Sequence, residues 1–231
     1  MKISNHVHQI HIKFDVTNEL KRFVNIYLIT GKYCYLVDTG VAGSETLIEA
    51  YMKDIDRDMS EIKGILLTHS HPDHIGAAAD IKAKTGCKVY ASRAEAGWIE
   101  DIEKQLEERP IPNFKKLLNQ SVKVDEFLEV GETLLLEENM HLDVIDVSGH
   151  SKGDVAFFYK EEGALFTGDC IPVTGDLIMY LDKGKSIKAL EHLQRLKGIQ
   201  LYCPAWDCVH QEEKGKAAIQ EGLACLTTID L

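Results

Sequence analysis

Three features of the sequence predict a layered α/β protein, a single domain in which helices cover the faces of sheets. Short apolar runs alternate with longer amphipathic ones in both halves of the chain, the mixture that lays helices on sheets. No Ser/Gly-rich or proline-rich linker separates the halves, so the 231 residues read as one domain, 1–231, with room for a large core. Each half also carries an apolar strand that ends in an acidic turn, Val37-Asp38-Thr39-Gly40 and Phe166-Thr167-Gly168-Asp169, a hint of duplication.

The elements follow in order. Val24 to Ile29 and Tyr33 to Val37 form a hairpin turned at Thr30-Gly31-Lys32. Ser44 is placed to cap a helix running to about Asp56, with Leu47, Ile48, Tyr51, Met52 and Ile55 on one face. Gly64 to Thr68 is a buried strand, Ile75 to Lys84 a helix stopped by Gly86, and Lys88 to Ala91 a short strand. Glu95 to Arg109 is charged and helical, with Trp98, Ile102 and Leu106 along one side, and Pro110 and Pro112 end it. Phe114 to Leu118 is a second helical piece. Residues 93–128 are therefore expected to be a helical insertion, either a lid or a connecting segment. From Val122 strands dominate: Thr133 to Leu136, Leu142 to Val147, Val155 to Tyr159, Ala164 to Thr167 and Gln200 to Cys203, with helices at Ile187 to Leu196 and Glu212 to Leu226.

Composition narrows the function classes. Hydrophobic residues make up 45% and charged residues 27%, an ordinary soluble balance. No apolar run approaches the roughly 20 residues that cross a bilayer. Met1 to His6 turns polar at once, without the apolar stretch of a signal peptide, so a cytoplasmic protein with no membrane contact is expected. The formal charge of −11 argues against a nucleic-acid partner, which needs basic surface. The six cysteines are scattered, which favours reduced thiols. Cys203 and Cys208 supply at most half of a structural zinc site, since no second close pair completes it.

The run His69-Ser70-His71-Pro72-Asp73-His74 carries the chemistry. With 10 histidines in the chain, three of them and an aspartate in this pattern arise by chance about once in a thousand chains. Imidazole with carboxylate suits zinc, iron or manganese. Pro72 disfavours helix at His71, so His69, His71 and Asp73 lie on an extended stretch whose alternate side chains face one way, while His74 begins a helix. Two ligands then serve one ion and two another. His150 and Asp169 follow apolar strands in the same manner and are further candidates.

The segments Val37-Asp38-Thr39-Gly40, Thr68-His69-Ser70-His71-Pro72-Asp73-His74, Gly149-His150-Ser151 and Thr167-Gly168-Asp169 resemble, in order and spacing, the metallo-β-lactamase-fold hydrolase superfamily over roughly residues 24 to 206. The resemblance implies a four-layer αββα sandwich with the site at one edge of the two sheets. It implies that His69, His71 and His150 hold a first divalent ion, that Asp73 and His74 hold a second, and that Asp169 bridges both. Asp38 would steady the ligand loop. Zinc is the leading metal, with iron or manganese as alternatives. One departure stands out. The family closes its site with a histidine in a Pro-Gly-His-Gly type turn, and this chain has Pro204-Ala205-Trp206-Asp207. Tryptophan cannot ligate. Asp207 is the preferred replacement, His210 the second choice, and a weak or vacant second pocket the third.

Two ions sharing a carboxylate acidify a water between them, and the hydroxide attacks a carbonyl or phosphorus without a side-chain nucleophile. Ser148 and Ser151 flank His150, but no Gly-x-Ser-x-Gly elbow is present. Asp73 is expected both to ligate and to handle a proton. Tyr180 is either a donor to substrate or a plain core or surface tyrosine. The expected function is hydrolysis of a small-molecule ester, thioester or lactone. The acidic charge counts against a nuclease and the polar N-terminus against an antibiotic β-lactamase. Two rivals stand beside it: a mononuclear iron sulfur dioxygenase using His69, His71 and Asp169, and a non-catalytic metal- or ligand-binding module, against which the intact first motif counts. His6 and His8 are expected as exposed strand histidines, His141 and His192 as surface, and Cys170 as an inert buried thiol.

Overall fold

The structure, a computed structural model, describes residues 1–173 and 180–228. It divides into two compact units, Met1–Leu128 and Glu129–Leu231, and each is built on one six-stranded sheet.

In the first unit the sheet runs in chain order: β1 (Val7–Asp15), β2 (Lys21–Thr30), β3 (Cys34–Val37), β4 (Ile62–Leu66), β5 (Lys88–Ser92) and β6 (Glu126–Leu128). The first three strands are an antiparallel meander, and β3 to β6 are parallel. A tight turn cannot join parallel neighbours, so a crossover must lie between each pair. These are α1 (Glu45–Asp54), then α2 (Pro72–Ile75) with α3 (Ala78–Thr85), then α4 (Arg93–Ile99), α5 (Ile102–Glu108) and α6 (Phe114–Leu117). Because β3, β4 and β5 share a direction, the loops leaving their carboxyl ends lie side by side, where α/β sheets place ligands.

The second unit has the order β12-β11-β10-β9-β8-β7, from β7 (Thr133–Glu137), β8 (Met140–Asp146), β9 (Val155–Tyr159), β10 (Ala164–Gly168), β11 (Leu201–Pro204) and β12 (His210–Gln211). Only β10 and β11 pair in parallel. Since β8 and β10 both run antiparallel to β9, their carboxyl ends also share an edge with that of β11. α7 (Lys183–Arg195) and α8 (Glu212–Thr228) contribute Leu190, Leu193, Ile219 and Leu226 to a core with Ile145, Leu165 and Tyr202 of the sheet.

Most predicted strands are present, and the helices differ in instructive ways. The expected Ile75 to Lys84 helix is broken into α2 and α3 at Gly76-Ala77. Gly76 donates to the Gly40 carbonyl at 2.8 Å, and a Cβ there would lie 2.4 Å from the Ala42 nitrogen. The helix stops so that the loop after β3 can touch it. The expected Glu95 to Arg109 helix is likewise two helices, with Asp101 capping α5 by accepting from Lys104 N at 3.0 Å. Residues 93–128 are not helical throughout, because Glu126–Leu128 forms the edge strand β6, too short to show a period-2 pattern. Ser44 occupies the N-cap of α1 but makes no side-chain capping bond. On α1, Ile48 and Met52 are buried while Leu47 is exposed. His8 is a further correction: it is buried, not exposed, because its ring packs on α1 with Nδ1 2.9 Å from the Tyr51 hydroxyl. Among the described residues no helix is long and apolar enough to cross a membrane.

Candidate metal centre

The chain leaves β4 at Leu66 and enters α2 at Pro72, with His71 in an extended conformation before it. Proline at the first helical position forfeits no hydrogen bond and forces His71 out of the helix. The loop is organised from behind by Asp38, at the end of β3. This residue is buried and holds a left-handed backbone with φ of 61°. One oxygen accepts the Thr68 N–H at 2.8 Å, and the other accepts the Thr68 hydroxyl at 2.8 Å. The second oxygen also lies 2.8 Å from His74 Nδ1.

These contacts determine where the imidazole protons sit. An ionised carboxylate only accepts, so His74 donates from Nδ1, and in the neutral ring that a metal requires its Nε2 carries the lone pair. The Thr68 hydroxyl gives its proton to Asp38 and therefore accepts from His69 Nδ1, 3.0 Å away. His69 Nε2 then also carries a lone pair. Those two nitrogens face other candidates: His69 Nε2 is 2.9 Å from His71 Nδ1, and His74 Nε2 is 3.6 Å from Asp73 Oδ2. A carboxylate behind an imidazole that turns its opposite nitrogen forward is the usual support of a metal ligand.

A second acid, missed in the sequence, grips the same loop. Glu95 of α4 is fully buried, and its carboxylate accepts from Ser70 N at 3.0 Å and from the Ser70 hydroxyl at 2.5 Å. Gln105 of α5 donates to the Ser70 carbonyl. Arg109 donates to the Ser70 hydroxyl at 3.1 Å, lies against His71 Nε2, and stacks 4.4 Å above the Trp98 ring. The signal for Glu95 was present: it stands three and seven residues before Trp98 and Ile102, on their apolar face, where a solvated glutamate does not belong.

The second unit brings His150 and Asp169 together, with His150 Nε2 3.4 Å from Asp169 Oδ2. His150 follows β8 and Asp169 follows β10, two strands with a common direction. Asp154, also missed, is buried and shapes the His150 loop by accepting from Gly149 N at 3.2 Å and Ser151 N at 2.5 Å. Gly149 has φ of 150°, and a Cβ there would sit 2.4 Å from the Ser186 backbone nitrogen. Gly149→Ala is therefore expected to cost about 2–4 kcal/mol through strain and overpacking. A urea-unfolding midpoint equal to wild type would show that the start of α7 yields instead.

In the closing turn, Asp207 and His210 are joined: Asp207 Oδ2 is 2.9 Å from His210 Nε2. Expected as alternatives, they form one group, with Cys208 Sγ 3.7 Å from His210 Nδ1. Trp206 is half-buried. Tyr180 is partly buried and packs against the core of the second unit. The donor chemistry fits divalent ions. The first unit offers imidazole lone pairs fixed by Asp38 with Asp73 beside them, and the second offers an imidazole with a carboxylate.

Comparison with known proteins agrees with this chemistry. The family model described as the metallo-beta-lactamase superfamily matches residues 21–198. A hydroxyacylglutathione hydrolase of Hyphomonas neptunium is 29% identical over 184 residues, 76% of this chain and 62% of that protein. A protein of Bacillus subtilis named "Probable metallo-hydrolase YybB" is 30% identical over 171 residues, 73% of this chain and 70% of that one. The chain thus spans only 62% of the length of the Hyphomonas relative. A solved metallo-beta-lactamase from Pontibacter korlensis superposes with a TM-score of 0.77 at 17% identity, over 99% of this chain and 98% of the other. A metallo-beta-lactamase family protein from Thermus thermophilus gives 0.76 at 20% identity, over 96% of this chain and 79% of that one. At such identities the likeness speaks for the fold alone: two mixed sheets flanked by helices, an α/β sandwich.

Proposed function

The chain belongs to the metallo-β-lactamase superfamily, and from that membership we propose that it is a metal-dependent hydrolase of a small-molecule thioester, ester or lactone. The observation that carries the reading is the bifurcated acceptor Asp38, which fixes the tautomers of His69 and His74 so that both offer Nε2. A buried carboxylate spent on orienting two imidazoles is costly unless those imidazoles hold something. By the family's ligand pattern, carried over residue by residue, His69, His71 and His150 would hold a first ion and Asp73 and His74 a second, with Asp169 a further ligand. Asp207 is the proposed replacement for the missing last histidine. Such ions, when bound, supply an acidified water and a charge that polarises the electrophile. Asp73 would take a proton from the water so acidified, and Glu95 and Arg109 hold the loop around Ser70 in place. The relatives named hydroxyacylglutathione hydrolase favour the thioester among the three substrate classes.

The test is elemental analysis of protein purified without chelator, followed by a panel of thioesters, esters and lactones. About two equivalents of divalent metal, zinc foremost, with turnover of an acyl thioester, is the expected result. One equivalent of iron with oxygen uptake on a persulfide would replace the hydrolase by a dioxygenase. Metal-replete protein that leaves the whole panel untouched would leave only a binding module.

A further inference from the structure

The turn after β11 holds more donors than the closing position of a hydrolytic site requires. We infer that Asp207, Cys208 and His210 together form a metal-binding site on this turn, one that takes a thiophilic divalent cation of the zinc class. The inference rests on the reading of Asp207 as a metal ligand, and adds to it a thiolate and an imidazole.

One ligand atom from each of the three residues lies within 4.8 Å of the others. The separation of 3.7 Å between Cys208 Sγ and His210 Nδ1 is close to the roughly 3.6 Å that tetrahedral zinc imposes on nitrogen and sulfur donors bound at about 2.05 and 2.3 Å. The ring is held in place on two sides. His210 begins β12 and pairs with Tyr202 of β11, and Asp207 Oδ2 stands at Nε2. The Cys208 amide donates to the other oxygen of Asp207 at 2.7 Å, which keeps the thiol beside the carboxylate. Asp207 and His210 also line a cavity of about 240 Å³ bounded by Tyr202 and Pro204. Cys208 is exposed, so the thiol is reached from solvent. Thiolate selects for zinc-class ions over magnesium or calcium. Binding forms metal–sulfur, metal–nitrogen and metal–oxygen bonds, the last as Asp207 turns from His210 Nε2 toward the ion held at Nδ1, and releases the thiol proton to solvent, with no change of oxidation state.

Cobalt(II) alone, titrated into the full chain after chelator treatment, reads the thiolate directly through its near-ultraviolet sulfur-to-metal charge-transfer band. The band is expected in wild type and in His69→Ala, and is lost in Cys208→Ser. His210→Ala should weaken cobalt binding at the band on the order of 10–100-fold, at least what loss of a supporting partner does. Far-ultraviolet circular dichroism checks that each variant is folded. Absence of the band at saturating cobalt overturns the inference, as does a band that survives Cys208→Ser and vanishes in Cys170→Ser. The two readings fail separately. A band without turnover of any substrate removes the hydrolase, and turnover without a band removes this site.

Discussion

Replacement of His71 by alanine is expected to lower kcat/KM on the proposed thioester substrate by at least about 1,000-fold, and prolonged chelation of the wild-type protein to do the same. The size follows from the acidity of water, whose pKa falls steeply to about 7 on a metal ion, so loss of the ion removes most of the available nucleophile near neutrality. His71 is the informative position because its Nδ1 stands 2.9 Å from the lone-pair nitrogen of His69. Two imidazole nitrogens at that distance need a proton or a cation between them. Alanine removes one of the pair and leaves the loop gripped by Glu95, Gln105 and Arg109 through Ser70. The variant should therefore fold, lose metal, and lose the metal-dependent rise in Tm. That rise is worth about 2.7 kcal/mol when free metal is a hundred times its Kd. Wild-type turnover in a metal-depleted His71→Ala protein would end the hydrolytic assignment of this loop.

Asp38→Ala is expected to do damage of a different kind. The substitution strips partners from the Thr68 amide and hydroxyl and from His74 Nδ1, all buried. Breaking a buried charged network in this way costs about 3–5 kcal/mol. His69 and His74 also lose the acceptor that fixes their tautomers, so metal affinity should fall about 10–100-fold. Urea unfolding of the chelated proteins isolates the first effect, and metal titration of the folded fraction isolates the second. A variant with normal stability and normal metal affinity would show that Asp38 serves neither.

How much of this was legible in the sequence depends on how far apart the cooperating residues lie. The candidate run 69 to 74 is local and was plain, because a strand end, a proline and a helix start are written in and beside it. His150 and Asp169 became candidates because each follows an apolar run and falls in a segment that resembles the family. Glu95 and Asp154 were not found. Its place on the apolar face of Trp98 and Ile102 marks Glu95 as an acid that packs inward, but periodicity does not say that its partner is a loop 25 residues away. The breaks at Gly76 and Asp101 were missed for a related reason. The close approach of the Gly40 loop to Gly76 is a tertiary fact, while local propensity alone favours one continuous helix there. The Asp207–His210 pair was half legible: both residues were candidates, but as alternatives, and the turn that joins them was not foreseen.

The left-handed backbone at Asp38 bears on which mutations the protein can accept. Few residues besides glycine tolerate that conformation, and asparagine and aspartate lead them. Of those three only aspartate brings a negative charge. Asparagine would keep the turn and surrender the anion, glycine would ease the turn and surrender everything else, and glutamate would keep the anion on a longer stem and a reluctant backbone. The position therefore has no neighbour in the genetic code that preserves both properties. Drift at this site has nowhere neutral to go.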